Sequence, residues 1–177
     1  MHRLFVAIRP PGPMRAALLA LMGGVSHARW QRDEQLHLTL RFVGEVDRHQ
    51  AEDIAAALGT VHHPRFELAL HGIGQFERKG RIDSLWAGVT PHAPLKILHH
   101  KVDQALARVG VDPDSRAYLP HITIARFGRF SGPVAGLLQQ SGGVTSLAYD
   151  ISEFRLYESQ LSHEGSVYNL VERYGLV

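Results

Sequence analysis

PHITIARF (residues 120–127) restates LHLTLRF (residues 36–42) in slightly altered letters. Each stretch holds a histidine, a threonine two positions later, and aliphatic residues between and around them. The histidines, His37 and His121, stand 84 positions apart. Side chains at i and i+2 of a strand share a face. His37 and Thr39 therefore point one way, and Leu36, Leu38 and Leu40 the other. His121 and Thr123 are set in the same manner against Ile122 and Ile124. The aliphatic faces belong in cores. If two related lobes each present such a polar face, the faces can meet across a cleft and gather two imidazoles and two hydroxyls around one small volume.

The flanking sequence supports two such lobes. RLFVAIR (3–9) alternates as a half-buried strand, with Leu4, Val6 and Ile8 on one side. MRAALLALM (14–22) has helical composition and stops at Gly23-Gly24. LHLTLRFVGEV reads as a strand, and Asp47 as the N-cap of the helix RHQAEDIAAALG. RFELALHGIG and RIDSLWAGV read as strands joined by the loop QFERKG. APLKILHHKVDQALARVG is an amphipathic helix, PHITIARF a strand and VAGLLQQSGG a short helix. SLAYDISEFRLYES and SVYNLVERY close the chain as a strand pair around SHEG. Each motif strand precedes a helical segment, and no low-complexity linker separates the halves. These patterns predict an α+β fold with two pseudo-symmetric lobes, each an antiparallel sheet with helices outside, around a central cleft. Residues 1–177 form one bilobal domain in this reading.

Composition narrows the functions. With 45% apolar and 20% charged residues the chain has the balance of a globular protein. No apolar run approaches the length of a membrane span. Absence of cysteine removes disulfides and thiolate metal sites, which suits the cytoplasm. The net charge of +2 is modest, but sixteen of the nineteen Lys and Arg residues are arginine, whose planar fork suits phosphate. A GC-rich genome would give the same bias.

Paired histidines can supply a base and an acid near neutrality, each typically contributing a factor of about 10² to 10⁴ in rate. Displacement at phosphorus is in line, so catalysts on opposite walls of a cleft suit it. Threonine hydroxyls can donate to the non-bridging oxygens as charge builds there. A zinc hydrolase is not indicated, since HExxH is absent and the neighbours His62-His63 and His99-His100 diverge in direction; those four read as solvated positions. HGIGQFERKG lacks the spacing of a phosphate-binding glycine loop, and no G-x-S-x-G elbow is present.

These residues resemble the two-histidine (2H) phosphoesterases, whose signature is a pair of HxTx motifs on opposing strands. RLFVAI, Trp30 ahead of HLTLRFVGEV, FELALHGIGQF, LWAGV, PHITIARF and LYESQLSHEGSVYNLVERY are similar, more narrowly, to the RNA 2',3'-cyclic phosphodiesterases, also called 2'-5' RNA ligases. The resemblance implies metal-independent, cofactor-free hydrolysis of RNA terminal 2',3'-cyclic phosphates to 2'-phosphates, and the reverse ATP-independent 2'-5' ligation. It casts His37 as proton donor to the leaving 3'-oxygen, His121 as proton acceptor from water, and Thr39 and Thr123 as ligands of the phosphate oxygens. Arg126 completes an HxTxxR pattern. Strict alternation sets Arg126 on the face away from His121, so a bulge, a twist or a position on the rim would be needed for it to act. Phe42 and Phe127, the aromatic residues following each motif, read as core.

The implied partners are RNA ends, transfer-RNA fragments among them, or nucleoside 2',3'-cyclic phosphates, met by a cytoplasmic monomer with no membrane contact. Two other readings remain open at the sequence level. One is a 2H enzyme acting on another small cyclic phosphate or a 2'-5' oligonucleotide. The other is a non-catalytic protein that binds RNA ends.

Overall fold

A computed structural model describes residues 1–130, 132–141 and 144–177. Its strands are β1 (His2–Ile8), β2 (Ala28–Trp30), β3 (Leu38–Val46), β4 (Phe66–Arg78), β5 (Arg81–Thr90), β6 (Ile122–Phe127), β7 (Tyr149–Ile151), β8 (Glu153–Ser162) and β9 (Gly165–Gly175). The helices are α1 (Gly12–Ala20), α2 (Arg48–Leu58), α3 (Ala93–Ala107) and α4 (Ala135–Ser141). The strands form one antiparallel path, β7-β4-β5-β6-β3-β1-β8-β9, with β2 beside β6. Along that path the motif strands β3 and β6 touch through a single register pair, Leu38 with Ile122. On one side lie β3, β1, β8 and β9; on the other lie β6, β5, β4 and β7. These are the two lobes expected, and their strand orders correspond outward from the join.

The lobes are not built from successive halves of the chain. The hairpin β4–β5 follows α2 yet lies in the second lobe, against β6. The hairpin β8–β9 follows α4 yet returns to the first lobe, where β8 pairs with β1. Each half thus lends its closing hairpin to the other lobe. The stretch that reads as one strand, SLAYDISEFRLYES, is divided at Ser152: β7 pairs with β4 and β8 with β1. The expected loop QFERKG is mostly strand. β4 and β5 stay paired to Arg78 and Arg81, leaving a two-residue turn in which Lys79 (φ 53°) and Gly80 (φ 76°) are both left-handed. That conformation matches the right-handed twist of the flanking strands.

The helices follow from spacing and caps. Asp47 accepts a hydrogen bond from the Gln50 amide at 2.8 Å and starts α2. α3 buries Leu95, Leu98, Val102, Ala105 and Leu106 along one stripe, each large aliphatic contributing about 1.5–3 kcal/mol. α2 and α3 pack on each other and over β1 and β3, while α4 lies on β4. The sequence carries helix α4 on to Gly143; it is described to Ser141, and Gly142 and Gly143 lie outside the described residues. β1 departs from the half-buried pattern. Leu4, Val6 and Ile8 enter the helix-covered core, but Phe5 and Ala7 are equally buried, under Tyr157 and Tyr168 on the opposite face. That second, aromatic cluster floors the cleft.

Candidate active site

Each motif histidine stands one residue ahead of its strand, His37 before Leu38 and His121 before Ile122. Extending the Leu38–Ile122 register by one residue each way sets His37 across from Thr123, and Thr39 across from His121. The four motif side chains thus surround the seam between lobes. The two rings are close enough for charge on His121 to weigh on His37.

Both rings are anchored in the same way. His37 Nδ1 donates to the Gln35 carbonyl at 2.8 Å, and His121 Nδ1 to the Leu119 carbonyl at 2.8 Å. A carbonyl only accepts, so the Nδ1–H form is fixed in each ring and Nε2 is left to work. The supports are firm. Gln35 is buried, its side chain donating to the Ser166 carbonyl at 3.1 Å and accepting from the Arg32 amide at 2.9 Å. Leu119 precedes Pro120, which favours an extended backbone at Leu119. Aromatic neighbours complete the hold. His37 sits 5.0 Å from Phe5 and 5.0 Å from Tyr168, and His121 lies 4.9 Å from Phe76 and 6.0 Å from Trp86, centroid to centroid.

That packing has an electrostatic consequence. Desolvation drives the His37 pKa down to about 4; the Gln35 carbonyl opposes the shift, while Arg126, His121 and Arg9 add to it. His121 is lowered for the same leading reason, opposed by the Leu119 carbonyl and helped by Arg126. In the free protein both imidazoles are neutral at pH 7. An anion between them would raise both values.

Arg126 bears on both rings because β6 is bulged. Its partners on β5 run Ser84–Arg126, Leu85–Ala125, then Trp86–Thr123, so Ile124 has no partner. Ile124 and Ala125 are buried in succession, and Arg126 emerges exposed on the side of Thr123. The conflict with strict alternation is resolved by this bulge. β3 repeats it: Ala7 pairs with Thr39 and Val6 with Arg41, skipping Leu40. Arg41 consequently points inward, 6% exposed, where it binds Asp103 Oδ1 at 2.9 Å and the carbonyls of Phe42 and Asp112. Phe42 then emerges where Arg126 does in the other motif.

This corrects the reading of Phe42 as core. It is 56% exposed, whereas Phe127 is buried as expected. The cleft is accordingly two cavities meeting at Phe42. One, about 340 Å³, is lined by Arg3, Phe5, His37, Phe42, Arg126 and Tyr168. The other, about 360 Å³, is lined by Thr39, Phe42, Phe76, Arg116, Leu119 and His121. Thr123 borders neither, but flanks the seam beside Trp86.

Two further residues support the site without standing out in the sequence. His99 Nδ1 donates to the Leu40 carbonyl at 2.7 Å, and Tyr118 Oη donates to the Thr39 carbonyl at 3.0 Å. Their rings stack at 4.2 Å and 2°. Together they close the open edge of the β3 bulge. On β6 the equivalent Ile124 carbonyl accepts the Gln31 amide at 2.9 Å, at the end of β2. His99 is therefore not a solvated polar position, and neither is His63, which is 5% exposed with Nδ1 donating to the Pro64 carbonyl at 2.7 Å. Among the described residues, no three His, Asp or Glu side chains gather as metal ligands.

Comparison with known proteins gives the family and the fold. A family profile of LigT-like phosphoesterases matches residues 8–86 and, a second time, residues 89–168. The first match begins at the end of β1 and the second at the end of β5, and each runs through its motif strand into the second strand of its exchanged hairpin, to residue 86 in β5 and residue 168 in β9. The RNA 2',3'-cyclic phosphodiesterase of Aeropyrum pernix is 34% identical over 139 residues, covering 77% of this chain and 79% of that protein. The crystal structure of Escherichia coli LigT complexed with 3'-AMP is 26% identical, covers 99% of this chain and 98% of that one, and superposes with a TM-score of 0.78. A crystal structure from Thermus thermophilus superposes with a TM-score of 0.81 at 25% identity, covering 98% and 97%.

Proposed function

This chain belongs to the LigT-like phosphoesterases, and from that membership we propose that it hydrolyses 2',3'-cyclic phosphates at RNA ends to 2'-phosphates. The observation that carries the reading is the pair of Nδ1-anchored imidazoles, one from each lobe, with Nε2 free at a shared seam. Water attacks phosphorus opposite the 3'-oxygen and gives its proton to His121 Nε2. The P–O3' bond breaks, and His37 Nε2 gives its proton to the departing oxygen. The new P–O bond leaves a 2'-monophosphate and a free 3'-hydroxyl. Thr39 and Thr123 donate to the non-bridging oxygens, and Arg126, close to both rings, offsets the anion's charge. The name of the Aeropyrum relative gives the same substrate class, and the 3'-AMP bound to the Escherichia coli protein is a ribonucleotide monophosphate.

His37 and His121 are mainly neutral in the free protein at pH 7, and the working form is reached when the pair takes up one proton, held on His37 Nε2. The phosphate's negative charge favours that form by raising both imidazole pKa values. A 5'-hydroxyl in place of water would run the step toward a 2'-5' linkage without ATP. Water's abundance makes hydrolysis the main reaction. The proposed working unit is the single bilobal domain 1–177 as a monomer, and its cysteine-free composition fits the cytoplasm. Transfer-RNA fragments are among its proposed substrates.

Chromatography of the product formed from a nucleoside 2',3'-cyclic phosphate in excess EDTA tests this reading. The nucleoside 2'-phosphate is expected. A 3'-phosphate, or loss of turnover on chelation, would overturn it.

A further inference from the structure

Among the described residues nine arginines form ion pairs with carboxylates: Arg9, Arg15, Arg32, Arg41, Arg48, Arg65, Arg116, Arg155 and Arg173. Six arginine side chains, Arg3, Arg29, Arg78, Arg108, Arg126 and Arg129, make neither an ion pair nor a side-chain hydrogen bond among the described residues, and of these Arg29 and Arg126 stand directly opposite each other on β2 and β6. Directly opposed residues of an antiparallel pair project from the same face, about 4.5–5.5 Å apart at Cβ, and like charges so placed are destabilising. Both are exposed. A fold that holds two unneutralised guanidiniums side by side offers a forked site for an anion.

Its location tells which anion. Arg29, Arg126, Arg32 and Tyr168 line a cavity of about 240 Å³. Arg126, Leu161, Ser166 and Tyr168 also line the His37 cavity, so the two spaces adjoin along one wall. Arg32 adds a cation, though its charge is shared with Glu34 at 2.6 Å. Glu164 supplies the one carboxylate among the described lining residues. Leu161, 82% exposed, and Tyr168 give an apolar rim against which a base can rest.

We propose that Arg29, with Arg126, forms a second phosphate subsite that takes the phosphodiester immediately upstream of the RNA's terminal cyclic phosphate. The inference rests on the hydrolase reading above and deepens it: the enzyme prefers an oligonucleotide end to a free cyclic mononucleotide. Arg126 stands between the sites, and Arg29 touches the upstream phosphate alone. The exposed rim accepts any base, so preference follows the backbone rather than sequence.

The test compares wild type with Arg29→Gln and Arg29→Lys on two substrates, a nucleoside 2',3'-cyclic phosphate and a dinucleotide ending in one. The ratio of kcat/KM, dinucleotide over mononucleotide, should fall about tenfold in Arg29→Gln and recover partly in Arg29→Lys. Affinity for the dinucleotide 2'-phosphate product should weaken in parallel. Its slope of log affinity against log salt should flatten by about 0.7, the loss of one single-strand phosphate contact. An unchanged ratio with an unchanged salt slope would overturn the subsite. If wild type turns over neither substrate, the hydrolase reading fails, while the product-binding difference still decides the subsite.

Discussion

A histidine pressed between aromatic rings gives up its charge, and that single fact governs the expected pH behaviour. With His37 lowered to about 4 and His121 lowered below its usual 6.5, the singly protonated pair is the dominant free form only on the acid side of neutrality. The two apparent values belong to the pair. A plot of kcat/KM against pH should therefore be bell-shaped with both limbs below pH 7, and the kcat bell should lie at higher pH because bound phosphate raises both rings. A kcat/KM optimum above pH 7.5 would contradict it. The same shift acts on stability. Between about pH 6.5 and 4 the unfolded chain protonates this imidazole and the folded chain does not, so stability falls as pH drops across that window. His37 accounts for up to ~3 kcal/mol of the loss. Denaturant unfolding at a series of pH values should show wild type losing more than His37→Gln between pH 7 and pH 4. Parallel losses would mean the ring is more solvated than its surroundings indicate.

At the level of elements, the paired bulges at Leu40 and Ile124 do the positioning. Each turns the strand after the threonine, sending Arg41 inward and Phe42 and Arg126 outward. The β3 bulge depends on His99 and Tyr118 for its carbonyl partners. His99→Leu leaves the Leu40 carbonyl unpaired, a cost of about 1–3 kcal/mol. It should lower kcat about tenfold with little change in KM, since it loosens Thr39 while the other contacts to the phosphate stay in place. His99→Asn, which can still donate, should keep more of the rate; equal loss in both would point to packing alone. The motif residues themselves are legible in the sequence, because a period of two names the face of each side chain. The bulges are only half legible: the conflict at Arg126 calls for a bulge, a twist or a rim position without choosing among them, and nothing in β3 calls for one at all. Phe42 therefore reads as core and Arg126 as a residue on the wrong face. β2 escapes notice for a related reason: three residues are too few to show a period. His99 reads as a solvated helix residue because its partner, the Leu40 carbonyl, lies 59 positions away.

For the whole molecule, the arrangement of two lobes around a cleft can be read from the repeated order of elements, but the exchange of hairpins cannot. Which edge β4–β5 or β8–β9 joins depends on distant partners and on no local pattern. The exchange ties each half of the chain to both lobes, while the motif strands themselves meet at one register pair. The seam between lobes is thus narrow enough to leave both imidazoles part-exposed, yet each wall is bound into its own side of the antiparallel sheet. One phosphorus centre between two such walls is the central claim. Its most direct test is steady-state hydrolysis of a nucleoside 2',3'-cyclic phosphate by wild type, His37→Ala, His121→Ala and the double variant. Each single variant should lose at least about 10² in kcat, and the double should be little slower than the slower single, as befits groups acting in one step. Wild-type turnover in either single variant would contradict it.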